Sequence, residues 1–157
     1  INTASMAGLL NPPVSGVYNV SKHAVVSLSE TLHHDLGLVT DQVHCSVLCP
    51  FFVPTGISQS QRNRPGEFAN TQPLTRSQRV AHAMTDKAVS SGKLTAVDVA
   101  RMTFQAIRAG NFYIASHPKA LDGVRLRAED IVALRNPTDP LAAKPGLRES
   151  LVEALRE

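Results

Sequence analysis

The sequence predicts an α/β fold in which crossover helices link the strands of a parallel sheet. Three observations carry this expectation. A long helix-periodic stretch stands between two short apolar segments. The second of those segments alternates poorly, as a strand buried on both faces does. Helix-like and strand-like stretches then continue in turn to about residue 134. With 157 residues, a compact monomer would expose roughly 7,700 Å² and bury about 69% of its unfolded surface, enough for a core without disulfides or metals.

Taken in order, Ile1 to Ser5 reads as the end of a strand, and Met6 to Gly16 as a loop containing Gly8, Asn11, Pro12 and Pro13. Apolar residues then recur at Val17, Val20, Ala24, Val25, Leu28, Leu32 and Leu36, close to a 3.6 period. That predicts a helix over 17–36 with Gly37 as its C-cap. Val43 to Cys49 is mostly apolar and ends at Pro50, which suits a strand inside a parallel sheet. Cys45 and Cys49 fall on one face of it about 13 Å apart, beyond disulfide reach, so both are expected to be buried thiols.

Phe51 to Thr71, with Pro54, Gly56, Asn63, Pro65 and Gly66, is expected to be irregular. A loop of that length in a compact domain usually has a task such as covering a site. Arg76 to Ser90 reads as a helix. Thr95, with Asp98 three residues on, resembles the cap of another helix that runs to about Ala109 and stops at Gly110. Asn111 to Ala115 follows as a short strand and Leu121 to Leu134 as a helix. A tail with Pro137, Pro140, Pro145 and Gly146 then precedes a turn or two at Leu151 to Arg156. Three strands would leave an apolar edge open beside the first strand, which another piece of protein must cover.

Charge and composition exclude several classes. Sixteen Lys and Arg stand against 13 Asp and Glu and are scattered, so nucleic-acid binding has no support. No apolar run is long enough to span a bilayer, and the opening lacks the pattern of a signal peptide. The expected setting is therefore cytoplasmic, with no membrane partner. His23, His33 and His34 lack an acid or cysteine that would complete a metal set. Arg62, Arg64, Arg76 and Arg79 read as solvated charges, and His117 as structural.

The chemistry centres on Tyr18 and Lys22, four apart near the start of the long helix and so on one face. An ammonium beside a phenol favours its charged form, which makes Tyr18 a candidate general acid and base. Ser5 ends the first strand thirteen residues before Tyr18, where its hydroxyl could donate to a carbonyl oxygen. After the next strand comes Pro50-Phe51-Phe52-Val53-Pro54-Thr55, again at a carboxyl end, where open α/β sheets bind ligands.

Ser5, Tyr18 and Lys22 in this register, followed by Pro50, Val53 and Thr55, resemble the short-chain dehydrogenase/reductase family, with the likeness running from Ile1 to Pro118. Phe51 departs from the family pattern, which has glycine there. The resemblance implies the C-terminal half only of a doubly wound, Rossmann-like parallel sheet. It divides the chain into 1–136, the C-terminal portion of a nucleotide-binding catalytic domain with a lid-like insertion over about 56–92, and a Pro-containing tail over 137–157. It further implies an oxidoreductase using NAD or NADP to move hydride between cofactor and a carbonyl/alcohol substrate. Ser5, Tyr18 and Lys22 would be catalytic; Tyr18, Lys22, Pro50, Val53 and Thr55 would contact the cofactor.

By the same resemblance the intact protein is expected to be a homodimer or homotetramer. The opening at Ile1, with no initiator Met, reads as a cut before the catalytic serine. With no glycine-rich turn in the sequence, the 157-residue fragment is expected to bind cofactor weakly and turn over negligibly. Two other readings are an epimerase or dehydratase that keeps the Tyr-x-x-x-Lys pair, and a non-catalytic scaffold or regulatory protein.

Overall fold

The computed structural model describes residues 1–156. They form two compact units, one of Ile1–Phe51 with Val97–Pro140, the other of Phe52–Ala96 with the residues from Leu141 on. The expected insertion and most of the expected tail thus fall in the same unit.

The first unit is built on three short parallel strands, β1 (Asn2–Thr3), β2 (Val47–Cys49) and β3 (Tyr113–Ala115), in the order β1-β2-β3. Asn2 lies opposite Val47 and Thr3 opposite Leu48, while Val47, Leu48 and Cys49 face Tyr113, Ile114 and Ala115. Backbone bonds carry the β1–β2 pairing further, from Asn2 N–H to Ser46 O (3.0 Å) through Ala4 to Leu48 (2.8 Å) and Met6 to Pro50 (2.8 Å). Ala4, Met6, Val26, Val47 and Cys49 form the core, packed by Leu9, Leu10, Val25, Phe112, Ala115, Ala120 and Val124.

The crossover from β1 to β2 is α1 (Gly16–Val39), and α3 (Ala96–Arg108) leads into β3. Helix α1 corrects the sequence reading twice. Gly37 is interior rather than a cap, because the helical bonds continue until Thr40, whose extended backbone ends them while its N–H reaches Leu36 O at 2.9 Å. The apolar stripe is also not the buried face. Val17, Val20 and Leu28 are 89, 71 and 65% exposed, and the buried residues are Asn19, Val26 and Ser29. The seam with β1 is polar: Asn2 Nδ2 donates to Ser29 Oγ (3.0 Å), which donates to Val25 O (2.6 Å).

A short 3₁₀ turn over Pro118–Ala120 leads into α4 (Leu121–Val132). In the last turn of α4, Asp130 gathers the chain that follows. Its Oδ2 accepts from Thr138 N–H (2.9 Å) and its Oδ1 from Arg135 Nε (3.0 Å).

The second unit pairs α2 (Arg76–Ser90) with α5 (Pro145–Arg156). Thr75 opens α2 with a capping box. Its Oγ1 accepts from Gln78 N–H while the Gln78 side chain accepts from Thr75 N–H at 2.8 Å. Arg76 Nε donates to Ala154 O on α5, where Leu151 is buried. Helix α5 is longer than the expected turn or two, since a proline fits the first turn of a helix. The stretch expected to be irregular holds two 3₁₀ segments, Gly56–Asn63 and Gly66–Phe68.

The expectation of a C-terminal half of a doubly wound sheet is corrected. The three strands form a parallel sheet of their own, in sequence order. The parallel, Rossmann-like sheet and its helices α1, α3 and α4 draw on residues from Asn2 to Val132. No helix among the described residues is long and apolar enough to cross a membrane.

Candidate active site

Ser5 leaves β1 in an extended conformation and caps the 3₁₀ turn Met6–Gly8. Its Oγ accepts from Ala7 N–H at 3.2 Å and donates to Pro50 O at 3.4 Å. The hydroxyl is therefore held by backbone on two sides, and its own donor bond is long. Gly8 ends the turn where it meets α1: a Cβ there would lie 2.6 Å from Lys22 O and 2.9 Å from Val26 Cγ2.

Tyr18 stands in the first turn of α1 and Lys22 one turn later. Buried Asn19 anchors that turn by donating from Nδ2 to Pro12 O at 2.9 Å. The preceding loop includes Val14 at φ 55, a conformation that costs a β-branched residue energy. Lys22 Nζ lies 5.7 Å from the centroid of the Tyr18 ring and donates to Thr3 O at 3.3 Å, tying α1 to the end of β1.

The Tyr18 side chain is solvent-accessible (41%), and among the described residues its hydroxyl bonds to no group. The chain's other tyrosine, Tyr113, is committed: its hydroxyl donates to Glu30 Oε1 at 2.7 Å. That bond, with desolvation behind it, pushes its pKa up to about 12, which makes it a poor proton donor near neutrality.

The Pro50–Phe51 peptide closes the floor of the site. Pro50 O accepts from Met6 N–H (2.8 Å) as well as from Ser5, and Phe51 N–H donates to Ser116 Oγ at 2.9 Å. Beneath it, burial pushes the Cys49 thiol up to about 11, so it stays neutral. Both cysteines are free and buried, as expected. Sequence reasoning missed Ser116, because nothing local in Ala115-Ser116-His117 shows that β3 ends beside Pro50 and Phe51.

Of the six predicted residues, Ser5, Tyr18, Lys22 and Pro50 belong to the first unit. Val53 and Thr55 belong to the second. There Thr55 Oγ1 accepts from Ile57 N–H at 3.4 Å and lines an open cleft of about 600 Å³ with Pro54, Ser58, Gln59, Asp86, Val89 and Ser90. Among the described residues no cluster of three or more metal-ligating side chains occurs. The donor set of the first unit fits the ribose of a nicotinamide nucleotide. Lys22 gives one of its three donors to Thr3, and the accessible Tyr18 phenol stands beside it.

The chain is similar in sequence and fold to known proteins. The family described as short chain dehydrogenase matches residues 1–66. A crystal structure of a short chain dehydrogenase/reductase from Burkholderia phymatum in complex with NAD is 58% identical, with a TM-score of 0.87 over 90% of this chain and 50% of that one. A putative short-chain dehydrogenase from Novosphingobium aromaticivorans is 28% identical, with a TM-score of 0.56 over 99% of this chain and 46% of that one. A CLA biosynthesis dehydrogenase/reductase from Lactiplantibacillus plantarum is 29% identical over 136 residues, 84% of this chain and 47% of its own length. The chain spans about half the length of these relatives.

These matches correct the restriction of the likeness to a C-terminal half ending at Pro118. The family match occupies the first 66 residues, and the structural likeness runs over 90 to 99% of the chain. They lend no support to the expected inactivity of these 157 residues either. Along nearly all its length, in sequence and in fold, the chain is similar to short-chain dehydrogenases/reductases.

Proposed function

We propose that this chain carries the catalytic Ser5, Tyr18 and Lys22 of an NAD(P)-dependent oxidoreductase acting on a small carbonyl/alcohol substrate. One observation carries the reading: an accessible tyrosine and a lysine one helical turn apart open α1, and the lysine reaches back to the end of the strand that bears Ser5. The NAD-bound relative supports the cofactor class. When bound, the cofactor supplies or accepts the hydride.

Ser5 turns its hydroxyl from Pro50 O to the substrate oxygen, which a 3.4 Å bond permits at little cost. Tyr18 gives its phenolic proton to that oxygen in reduction and takes it back in oxidation. Lys22 holds the ribose hydroxyls and offsets charge that develops on the phenol. Pro50, Val53 and Thr55 complete the cofactor contacts. A homodimer or homotetramer agrees with the exposed Val17, Val20 and Leu28 on α1, and a cytoplasmic setting agrees with two free thiols.

The test follows oxidation of NADH and NADPH over a panel of aldehydes and ketones, in the wild type and in Tyr18→Phe. Loss of the phenolic proton is expected to lower kcat by about 10²-fold or more. Full turnover in Tyr18→Phe would overturn the reading.

A further inference from the structure

The ladder between β2 and β3 ends with Cys49 opposite Ala115. One step beyond, Phe51 N–H has left the ladder, and the side chain of Ser116 takes it at 2.9 Å. Ser116 is 3% exposed, and its Oγ lies 2.8 Å from His117 Nδ1. The His117 ring in turn stands 5.6 Å from the Phe51 ring. Residue 51 is thus gripped at its amide and at its ring.

A peptide group is planar, so its N–H and C=O turn together. Fixing Phe51 N–H therefore fixes the direction of Pro50 C=O. That carbonyl is the acceptor of both Met6 N–H (2.8 Å) and the Ser5 hydroxyl (3.4 Å). A bond made on one side of the peptide sets the angle at which Ser5 is held on the other.

We propose that Ser116, oriented by His117, is a positioning residue for the Ser5 hydroxyl and acts through the Pro50–Phe51 peptide. The proposal rests on the reading of Ser5 as the group that orients the substrate oxygen. Ser116 holds the carbonyl so that Ser5 is aimed yet weakly bound, and the hydroxyl can exchange Pro50 O for substrate.

The experiment compares Ser116→Ala, Ser116→Thr, Ser5→Ala and the double Ser5→Ala/Ser116→Ala protein, by steady-state kinetics and by amide NMR of Met6 and Ala7. Ser116→Ala is expected to lower kcat by about tenfold with KM for the nicotinamide nucleotide nearly unchanged, as misplacement of a reacting group does. Ser116→Thr, which keeps the hydroxyl, is expected to restore it. Adding Ser116→Ala to Ser5→Ala is expected to cost nothing more, because the two act through one hydroxyl.

Independently of turnover, Ser116→Ala is expected to shift the Met6 and Ala7 amides, and Ser116→Thr to return them. If Ser5→Ala keeps full turnover, the reading of Ser5 falls and this proposal with it. If Ser5→Ala loses turnover while the Ser116 loss simply multiplies with it, or if neither amide moves, only the positioning role falls.

Discussion

A side chain at position 8 would meet main-chain atoms of α1, 2.6 Å from Lys22 O and 2.9 Å from Lys22 C. Backbone inside a helix cannot swing aside, so glycine is what lets the turn after Ser5 lie against the turn that carries Lys22. Gly8→Ala is expected to cost about 1–3 kcal/mol of stability through overpacking, read as a lower urea midpoint. A midpoint equal to wild type would show that the turn stands off the helix. Nothing in the sequence marks this glycine apart from the others, because the close approach joins segments fourteen residues apart. Spacing did show that Tyr18 and Lys22 are neighbours, since their relation is one turn of a single helix. The grip of Pro50 on Ser5 was hidden, because it crosses between strands.

Elements whose signals are local were legible. Helix α2 runs over the predicted residues, where Thr75 and Gln78 close a box about its first turn, and Gly110 ends α3 at φ 71. Helix α1 was found by its period, but its period named the wrong face: Val26 is the apolar residue of the buried side, and Ser29 on that side bonds to Asn2 of β1. The end of α4 holds a further contact invisible in sequence, the Asp130 carboxylate. The backbone N–H of Thr138, aided by Arg135, lowers its pKa below the ordinary 3.8. A carboxylate with a depressed folded value stabilises fully above its unfolded value, and loses that contribution as pH falls through the lower folded one. Asp130→Asn is therefore expected to be less stable than wild type at pH 7, with the gap closing below about pH 4. Urea midpoints at pH 7 and pH 3 check this, and a gap as wide at pH 3 as at pH 7 would contradict it.

At the scale of the molecule, α1 carries exposed apolar residues, and Val17, Val20 and Leu28 share one side of it. The proposed oligomer predicts that Leu28→Asp lowers the mass measured by light scattering at a given concentration. An unchanged mass would remove α1 from the interface. The open sheet edge was legible from the count of strands, whereas the division into two units was not, because it depends on pairing between distant segments. The bond from Arg76 to Ala154 joins residues 78 apart in the chain. A chain made from its N-terminus completes α2 long before its partner helix exists, so α2 emerges from the ribosome without the surface it packs on. The second unit can close only once Pro145–Arg156 has been synthesised. Its assembly thereby waits for α5, while the strands and helix that bear Ser5, Tyr18 and Lys22 can already be in place.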